Sequence, residues 1–277
     1  MPELPEVETI ARALRQGGRG GQPILDWNIQ SASLLWERTL AAPDVETFMA
    51  HIAGQKIAGI NRRGKFLWIE LSEGHLLVHL RMTGDLRVEP CLTPSGESIP
   101  LQRHDRMVLN FKNGMRLAFN DPRKFGRVWL VTDAEEVIGR LGPEPFKSNL
   151  TATLFYAALQ RRGKRQIKAL LLDQSFLAGL GNIYTDEALF SAGIHPLRAA
   201  GSLSPEQAEK LWHAICSVIE EGIRRNGASF DWVYRGGKFE FQVYQRTGQP
   251  CVRCGALIQK CTVGQRGTHF CATCQPA

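Results

Sequence analysis

The chain contains no hydrophobic run of about 18 residues, the length at which a segment becomes a candidate membrane-spanning helix. It also lacks an N-terminal charged leader followed by an apolar stretch, an internal repeat and a low-complexity tract. The hydrophobic content, 43% of the 277 residues, argues against a disordered chain. We therefore predict an intracellular protein without membrane attachment, in a reducing compartment, and long enough for two domains that each bury a core.

The charge balance favours an anionic partner. Lys and Arg number 34 against 27 Asp and Glu, a formal net charge of +7, and the isoelectric point is near 9.2. Such a balance suits nucleic acid better than an acidic small molecule, although basicity alone is weak support. One run of cations is either a solvated helix face or a phosphate-binding patch. It comprises Arg161, Arg162, Lys164, Arg165 and Lys168.

Four of the seven cysteines have the spacing of a zinc site. Cys251 and Cys254 form one C-x2-C pair, and sixteen residues separate it from a second pair, Cys271 and Cys274. Two such pairs place four thiolates around one Zn²⁺ and leave no open coordination position. The sequence therefore predicts one structural zinc ion, with a β-hairpin between the pairs that presents Arg266 at its turn.

Pro2 directly follows Met1, so removal of Met1 leaves a secondary amine at the chain terminus. An α-amino group has a pKa of roughly 8, and the apolar spacing over residues 4–16 predicts a helix whose positive end further disfavours the ammonium. A neutral secondary amine can attack a sugar C1′ and give an iminium that acts as an electron sink. The simpler interpretation is that a small second residue only permits routine removal of Met1.

Between residues 66 and 131 the pattern changes to short β-strands, and an Asn-Gly pair at 113–114 indicates a hairpin. Antiparallel strands with little helix between them predict a β-sandwich or barrel. Beyond residue 150 the chain becomes helical, most clearly where Ser204 and Gln207 can form a capping box. The predicted strands are 66–71, 75–80, 107–111, 116–119 and 127–131.

Six separated motifs make the chain resemble bacterial formamidopyrimidine-DNA glycosylase. They run in order from residue 2 to residue 274: residues 2–8 (PELPEVE), 63–65 (RGK), 121–126 (DPRKFG), 179–184 (GLGNIY), 193–196 (GIHP) and the cysteine pairs. The resemblance implies an α+β fold with an N-terminal β-sandwich domain, a helical helix-two-turn-helix domain and a C-terminal zinc-finger β-hairpin. The expected division is 1–135, a linker at 136–150, 151–238 and 239–277.

The resemblance implies a base-excision repair glycosylase and AP lyase. Such an enzyme removes 8-oxoguanine and formamidopyrimidines from double-stranded DNA and cleaves the strand at the abasic site by β,δ-elimination. By the resemblance, Pro2 is the Schiff-base nucleophile and Glu3 the acid that helps open the sugar ring and release the base. Lys65 matches a proton donor in β-elimination and Arg266 a residue of the second elimination. Because guanidinium is a poor acid, we expect Arg266 to clamp a phosphate.

The resemblance also assigns residues that bind DNA. Glu6 matches a second acidic residue near the extruded sugar. Three side chains match those that fill the gap left by the extruded nucleotide and probe the opposite base: Met82, Arg123 and Phe125. Phosphate contacts are expected from His104, Lys124, Lys164 and Asn182. From the residues alone, Phe125 is equally a loop anchor, and the glycines before Asn182 are an ordinary helix cap.

One segment departs from the family pattern. Residues 227–229 (GAS) and the compact stretch 230–241 stand where the family usually has a Thr-rich segment and a longer loop that covers the extruded base. The choice of lesion is therefore left open by the sequence. We expect the protein to be a monomer in the bacterial cytoplasm, associated with the nucleoid.

Two alternatives remain open at this point. An endonuclease VIII-like glycosylase of the same fold acts on oxidised pyrimidines, but those relatives tend to begin Pro-Glu-Gly-Pro-Glu and lack the Met, Arg and Phe side chains, whereas this chain has Leu4. A non-enzymatic, zinc-dependent protein that binds damaged DNA predicts an altered terminus. Intact Pro2, Glu3 and Lys65 argue against that alternative.

Overall fold

The computed structural model describes residues 1–146, 150–229 and 236–277. Within them the chain forms a first unit, Met1–Arg140 with Asn226–Gly237, and a second unit, Leu141–Arg225 with Lys238–Ala277. No helix among the described residues is long and apolar enough to cross a membrane. The four-part division expected from the sequence stays a prediction.

The first unit contains two β-sheets. Its helices are α1 (Leu4–Gln16), α2 (Val45–Ile52) and α3 (Glu135–Ile138). Its strands are β1 (Ile29–Leu34), β2 (Leu40–Ala42), β3 (Ile57–Arg63), β4 (Phe66–Leu71), β5 (His75–His79), β6 (Asp85–Pro90), β7 (Asp105–Phe111), β8 (Met115–Asn120) and β9 (Arg127–Val131). One sheet has the order β1-β7-β8-β6 and the other β2-β9-β5-β4-β3. The β2–β9 pair is parallel and the other strand pairs of these sheets are antiparallel.

One apolar core joins both sheets and the first two helices. Burial alternates along β4, as expected for a strand with one face on the core. On α1 the buried apolar residues recur at helical spacing, and Val7, Ile10 and Leu14 are at most 3% exposed. The same core includes Phe48 of α2 and Phe119 of β8. The apolar pattern of α1 therefore serves to dock the N-terminus on the sandwich.

The second unit begins with helices and ends in a hairpin. Its helices are α4 (Ala152–Arg161), α5 (Ile167–Leu171), α6 (Asn182–Ala192) and α7 (Pro205–Arg224), and its strands are β10 (Gln259–Val263) and β11 (Arg266–Phe270). The predicted capping box opens α7, because the Ser204 hydroxyl accepts the N–H of Gln207 at 3.2 Å and Gln207 Oε1 accepts the N–H of Ser204 at 3.1 Å. α6 packs on both α7 and β11.

The predicted α+β class, with its sandwich, helices and C-terminal hairpin, is confirmed. The five predicted strands coincide with β4, β5, β7, β8 and β9 to within two residues. The sequence analysis did not predict β1, β2, β3, β6 or α2. These elements are short or alternate weakly; β2 has three residues, and its exposed and buried positions carry no clear period.

Candidate active site and DNA-binding residues

The N-terminus is buried at the start of α1. Glu3 is the N-cap residue, and it forms a capping box with Glu6, in which Glu6 Oε2 accepts the N–H of Glu3 at 2.7 Å and the Glu3 side chain accepts the N–H of Glu6. The exposed fraction is 1% for Glu3 and 0% for Glu6. Main-chain N–H groups therefore hold two carboxylates beside the chain terminus, where they are shielded from solvent.

The second oxygen of Glu6 contacts the segment that departs from the family pattern. Glu6 Oε1 accepts the N–H of Ala228 at 2.7 Å. Gly227 has a φ of +82°, and a Cβ at this position would lie 2.6 Å from Glu6 Oε1. The close approach therefore requires glycine. Residues 230–235 of the same segment lie outside the described residues.

Lys65 is positioned by a tight hairpin. Gly64 and Lys65 form the two-residue turn between β3 and β4, in which Arg63 pairs with Phe66. Gly64 has a φ of +57°, as such turns require. The Lys65 side chain is buried, at 6% exposure. The turn thus places a buried ammonium at the end of the sheet.

Four charged side chains act on the terminal amino group, which in the unprocessed chain belongs to Met1. Burial has the largest influence and lowers the pKa of this amine; Glu3 and Glu6 raise it, and Lys65 and Arg123 lower it. The net pKa lies below the ordinary value. A lower pKa enlarges the neutral, nucleophilic fraction of an amine at a given pH. The structure therefore brings four residues selected from the sequence to the chain terminus.

His79 was not identified from the sequence as part of this region. It is the last residue of β5, pairs with Phe66, and its ring packs edge-on against the Phe66 ring at a centroid distance of 4.7 Å. Its Nδ1 accepts the N–H of Arg81 at 3.0 Å. Burial, and then the charges of Arg81 and Lys65, lower the pKa of His79 to about 3. The sequence shows only a histidine near the end of a predicted strand, and this pattern does not predict that His79 lies close to Phe66 and Lys65.

Met82, Arg123 and Phe125 lie in two turns. Met82 lies between β5 and β6, and the other two lie between β8 and β9. Phe125 is 51% exposed although it is a large apolar side chain. The Arg123 guanidinium lies over the Phe125 ring, with Cζ 5.0 Å from the ring centroid. The ring is therefore open to solvent beside a cation, and its insertion role stays a prediction.

The residues expected to contact phosphates occur in both units. In the first unit, His104 is half-buried and its Nδ1 lies 3.2 Å from Arg106 Nη2, and exposed Lys124 holds its Nζ 4.0 Å from the ring centroid of Trp36. In the second unit, Lys164 is exposed and Asn182 is the first residue of α6. Their roles stay predictions.

The run of cations in the second unit is not uniform. Arg161, Arg162 and Lys164 are exposed, and Arg165 pairs with Asp173 at 2.7 Å. Lys168 is fully buried. Grouping Lys168 with a solvated or phosphate-binding face was therefore wrong. The run crosses from an exposed turn into α5, where Lys168 turns inward to meet a buried carboxylate.

That carboxylate belongs to Asp186 and organises a buried polar network. Lys168 Nζ donates to Asp186 Oδ1 at 2.6 Å and to the carbonyl of Gly267 at 3.2 Å. Asp186 Oδ2 accepts the N–H of His269 at 2.9 Å, and Asn182 Nδ2 donates to the Gly267 carbonyl at 2.8 Å. α5 and α6 thus hold β11, whose first residue is the arginine expected at the hairpin turn.

The neighbouring carboxylate of Glu187 holds the chain that leads into the cysteine region. It accepts the N–H groups of Gln242, Val243 and Tyr244 at 2.9, 3.0 and 2.8 Å. Burial raises the pKa of Glu187, and the three N–H groups partly offset this effect. Two adjacent acids within a helix that also carries several apolar residues were a sequence signal for this pair of anchors, and the sequence analysis did not identify them.

The four predicted zinc ligands come together. The Sγ atoms of the two cysteine pairs all lie within 4.8 Å of one another. Cys251 and Cys274 are 3.9 Å apart, and Cys254 and Cys271 are 3.5 Å apart. Thiolates bound tetrahedrally at about 2.3 Å from Zn²⁺ are separated by about 3.8 Å. The donor set and its spacing therefore fit one structural zinc ion.

A β-sandwich unit that begins with a buried Pro2 and a helical unit that ends in a four-cysteine hairpin define a zinc-finger protein with a candidate amine nucleophile. Three family models cover most of the chain. They are the formamidopyrimidine-DNA glycosylase N-terminal domain at residues 1–128, the H2TH domain at residues 141–232, and the zinc finger found in FPG and IleRS at residues 248–277. The chain belongs to the formamidopyrimidine-DNA glycosylase family.

Full-length relatives agree. A formamidopyrimidine-DNA glycosylase from Protochlamydia amoebophila is 44% identical, and one from Pelotomaculum thermopropionicum 43% identical, each over 99% of both chains. The fold matches wild-type Lactococcus lactis Fpg (MutM) in complex with DNA that contains N7-benzyl-Fapy-dG, with a TM-score of 0.89, 36% identity and full coverage of both chains. MutM in complex with DNA that contains carbocyclic 8-oxo-G matches with a TM-score of 0.88 and 36% identity over the full length of both chains.

Proposed function

We propose that this chain removes oxidised purines, formamidopyrimidines and 8-oxoguanine, from double-stranded DNA and cleaves the strand at the resulting abasic site. The chain is a base-excision repair glycosylase of its family. The observation that carries the reaction is the chain terminus: the Met1 amine has a lowered pKa among the charges of Glu3, Glu6 and Lys65, and Pro2 directly behind it is buried. Membership of the family makes the protein a DNA-binding enzyme, and the site suggests which atoms react.

The nucleophile is the amine of Pro2 once Met1 has been removed. Its lone pair attacks C1′ of the damaged nucleotide, and the bond from C1′ to the base breaks. Opening of the sugar ring then leaves a protonated ring oxygen and an iminium between C1′ and Pro2. A secondary amine is suited to this step because its iminium has no N–H to lose and stays cationic.

The acids around the terminus manage the protons. The Glu3 carboxylate, one residue from the nucleophile, takes up the N–H proton that the amine loses, donates it to the ring oxygen as the ring opens, and so assists departure of the base. The iminium acidifies C2′, so loss of a proton there expels the 3′ phosphate, and a second elimination expels the 5′ phosphate. Lys65 is the proton donor in the first elimination, and Arg266 holds a phosphate during the second. Glu6 fixes the start of α1 and lies near the extruded sugar.

Binding uses contacts that do not depend on base sequence. Lys124, Lys164, His104 and Asn182 hold phosphates and set the register of the duplex. Met82, Arg123 and Phe125 occupy the space that the extruded nucleotide vacates. Because unstacking costs a few kcal/mol, and least at a damaged pair, such a wedge stabilises the extruded state and contributes to selectivity.

The zinc ion supports this binding from a distance. Held by Cys251, Cys254, Cys271 and Cys274, it supplies folding energy to the hairpin that carries Arg266. The named relatives are bacterial proteins. A monomer in the bacterial cytoplasm, associated with the nucleoid, agrees with the net charge of +7 and with a DNA substrate.

Covalent trapping tests the nucleophile. Borohydride added during turnover should reduce the iminium and leave DNA on the N-terminal peptide, at Pro2. Pro2→Gly should retain a weaker, primary-amine version, and a variant that keeps Met1 should be inactive because its nitrogen is an amide. An adduct mapped to Lys65, with Pro2 unmodified, contradicts the mechanism.

Glu3→Gln separates the two halves of the reaction. Release of a damaged base needs the acid, so it should be nearly abolished, whereas cleavage at a pre-formed abasic site should be largely spared because no base has to leave. The measurement compares strand cleavage on single-lesion duplexes that contain 8-oxoguanine, a formamidopyrimidine, an oxidised pyrimidine or an abasic site. Preferential cleavage of the oxidised pyrimidine would reassign the lesion class to that of endonuclease VIII-like enzymes.

A further inference from the structure

The two turns that carry Met82, Arg123 and Phe125 are joined by a buried carboxylate. Asp121 is 1% exposed and opens the loop between β8 and β9. Its Oδ2 accepts the N–H of Gly126 at 2.7 Å, and its Oδ1 accepts the N–H of Arg123 at 3.2 Å. One side chain therefore binds the main chain on both sides of the exposed Phe125.

The same carboxylate reaches the other turn through Thr83. The Thr83 hydroxyl donates to Asp121 Oδ1 and accepts the N–H of Arg123 at 3.2 Å. Thr83 is 8% exposed and directly follows Met82. The hydroxyl thus ties the residue after Met82 to the residue that carries the Arg123 guanidinium. The strands that flank the two turns are paired, β6 with β8 and β5 with β9, and the contact between Thr83 and Asp121 adds a side-chain link between the turns themselves.

The backbone beneath the turns leaves little freedom. A Cβ on Gly84 would lie 2.8 Å from Cε2 of Phe119, and a Cβ on Gly126 would clash with the same ring. Both turns therefore close over a core side chain that is fully buried. Arg106 Nε donates to the carbonyl of Asp121 at 2.7 Å, which fixes the start of the loop as well.

We propose that Asp121 and Thr83 are positioning residues that hold Met82, Arg123 and Phe125 as one preformed insertion surface before DNA binds. The inference rests on the proposed function, because it takes from it the insertion role of the three side chains. A preformed surface avoids the cost of ordering two loops at the moment when a nucleotide is extruded. Neither Asp121 nor Thr83 needs to touch the DNA.

The test compares two DNA substrates with the full-length, zinc-loaded protein. One is a duplex that contains a pre-formed abasic site, and the other is the same strand without its complement. Only the duplex contains a base opposite the abasic site that the inserted side chains can unstack. The rate of borohydride trapping on each substrate is measured, together with the fluorescence of 2-aminopurine placed opposite the abasic site, which reports unstacking on binding.

Thr83→Val keeps the shape of the side chain and removes the hydroxyl. Trapping on the duplex should slow about tenfold, with a matching loss of the 2-aminopurine signal. The reason is that a small displacement of the insertion side chains is enough to lower the reaction rate. Trapping on the single strand should change less than about twofold, because the nucleophile is not altered. Thr83→Ser restores the hydroxyl and should recover the duplex rate. Asp121→Asn should lower the duplex rate at least as far as Thr83→Val.

Two matched variants make the outcomes distinct. Asp133→Asn alters another loop carboxylate, one that accepts the N–H of Glu135 at 2.9 Å, and should leave both rates unchanged. Phe125→Ala tests the insertion role itself.

If Phe125→Ala slows trapping on the duplex and Thr83→Val does not, the positioning inference is wrong and the proposed function stands. If Thr83→Val slows both substrates equally, Thr83 only supports the fold and the inference is also wrong. If Phe125→Ala leaves the duplex rate unchanged, the proposed insertion role fails, and the inference fails with it.

Discussion

The first unit is built around a large apolar core, whereas the hairpin of the second unit depends on ionic and metal-binding groups. Among the described residues, 25 buried hydrophobic residues form the core that joins the two sheets to α1 and α2. The cluster beneath the zinc hairpin has five, and two of these are the ligands Cys251 and Cys271. A segment of this size cannot bury enough apolar surface to be stable by itself.

The units also bury charge differently. In the first unit, Glu3 and Glu6 are satisfied by main-chain N–H groups at a helix start, next to the terminal amine. In the second unit, Lys168 and Asp186 neutralise each other with no exposed side-chain surface. In the first unit, buried charge therefore surrounds the proposed nucleophile. In the second unit, the buried ion pair holds structural elements together. Each of the following predictions tests that contrast.

Zinc removal should have the largest effect, and it should be confined to the second unit. Structural zinc contributes on the order of 10 kcal/mol or more of folding energy in small domains. Chelation, or Cys254→Ser, should therefore unfold the hairpin, expose amides of β10 and β11 to hydrogen exchange and weaken DNA binding. Cys261→Ser is the matched control, since this cysteine lies outside the four-thiolate cluster, and it should keep one zinc per chain. If the amides of β10 and β11 stay protected from hydrogen exchange after zinc removal, the hairpin does not depend on the metal for its stability.

Breaking the buried ion pair should rank next. Asp186→Asn removes the carboxylate charge that buried Lys168 Nζ contacts at 2.6 Å, so the second unit should lose about 3 kcal/mol or more of its free energy of unfolding. Urea denaturation followed in that unit measures the loss. Asp173→Asn breaks the Arg165 pair, whose side chains are 43% and 29% exposed, and should cost at most about 1 kcal/mol. Equal losses from the two variants would show that the buried pair has no special weight.

His79 should make the first unit sensitive to acid. Its folded-state pKa of about 3 lies below the ordinary value of 6.5, so the unfolded chain binds the extra proton between these pH values. The contribution of His79 to stability is fully present above pH 6.5 and is lost as the pH falls toward 3, which amounts to about 2 kcal/mol between pH 7.5 and pH 5. His79→Asn should flatten the pH dependence of the unfolding free energy by that amount.

Glu8→Gln is the control for that window. Burial raises the pKa of Glu8, but its hydrogen bonds and ion pairs with Arg62 and Arg15 lower it below 4.5 overall. Its contribution is therefore present above about pH 4.5 and is lost only at lower pH. Removing Glu8 should leave the slope between pH 7.5 and pH 5 unchanged. An unchanged slope in the His79 variant would instead mean that His79 is not desolvated in the folded protein.

The smallest effect should come from the capping box of α7. Ser204→Ala removes the hydroxyl that accepts the N–H of Gln207, and capping residues contribute about 1 kcal/mol. Ser204→Asp should retain most of the stability, because a carboxylate also caps a helix and its charge interacts favourably with the positive N-terminal end of the helix. Thermal unfolding of the second unit distinguishes the two variants. A Ser204→Ala variant as stable as the parent would show that packing of α7 alone determines where the helix begins.

The sequence alone determined the parts of this protein that depend on spacing along the chain. The helix over residues 4–16, the strand at 66–71, the capping box at Ser204 and the four-cysteine site all follow from local periodicity or ligand spacing, and the structure contains each of them. These features were predictable because neighbouring residues define them. The role of Pro2 as the nucleophile stays a prediction.

Only the tertiary structure decided which distant side chains meet. Lys168 belongs to the same run of cations as the exposed residues before it, and it is buried against Asp186, 18 residues further on. Asp121 and Thr83 are 38 residues apart and meet because β6 pairs with β8 and the turns next to these strands close over the same core ring. The local sequence around each of these side chains does not identify its distant partner. The packing of sheets and helices determines which side chain contacts a buried charge. That contact determines whether the charge stabilises the fold, positions a loop or belongs to the active site.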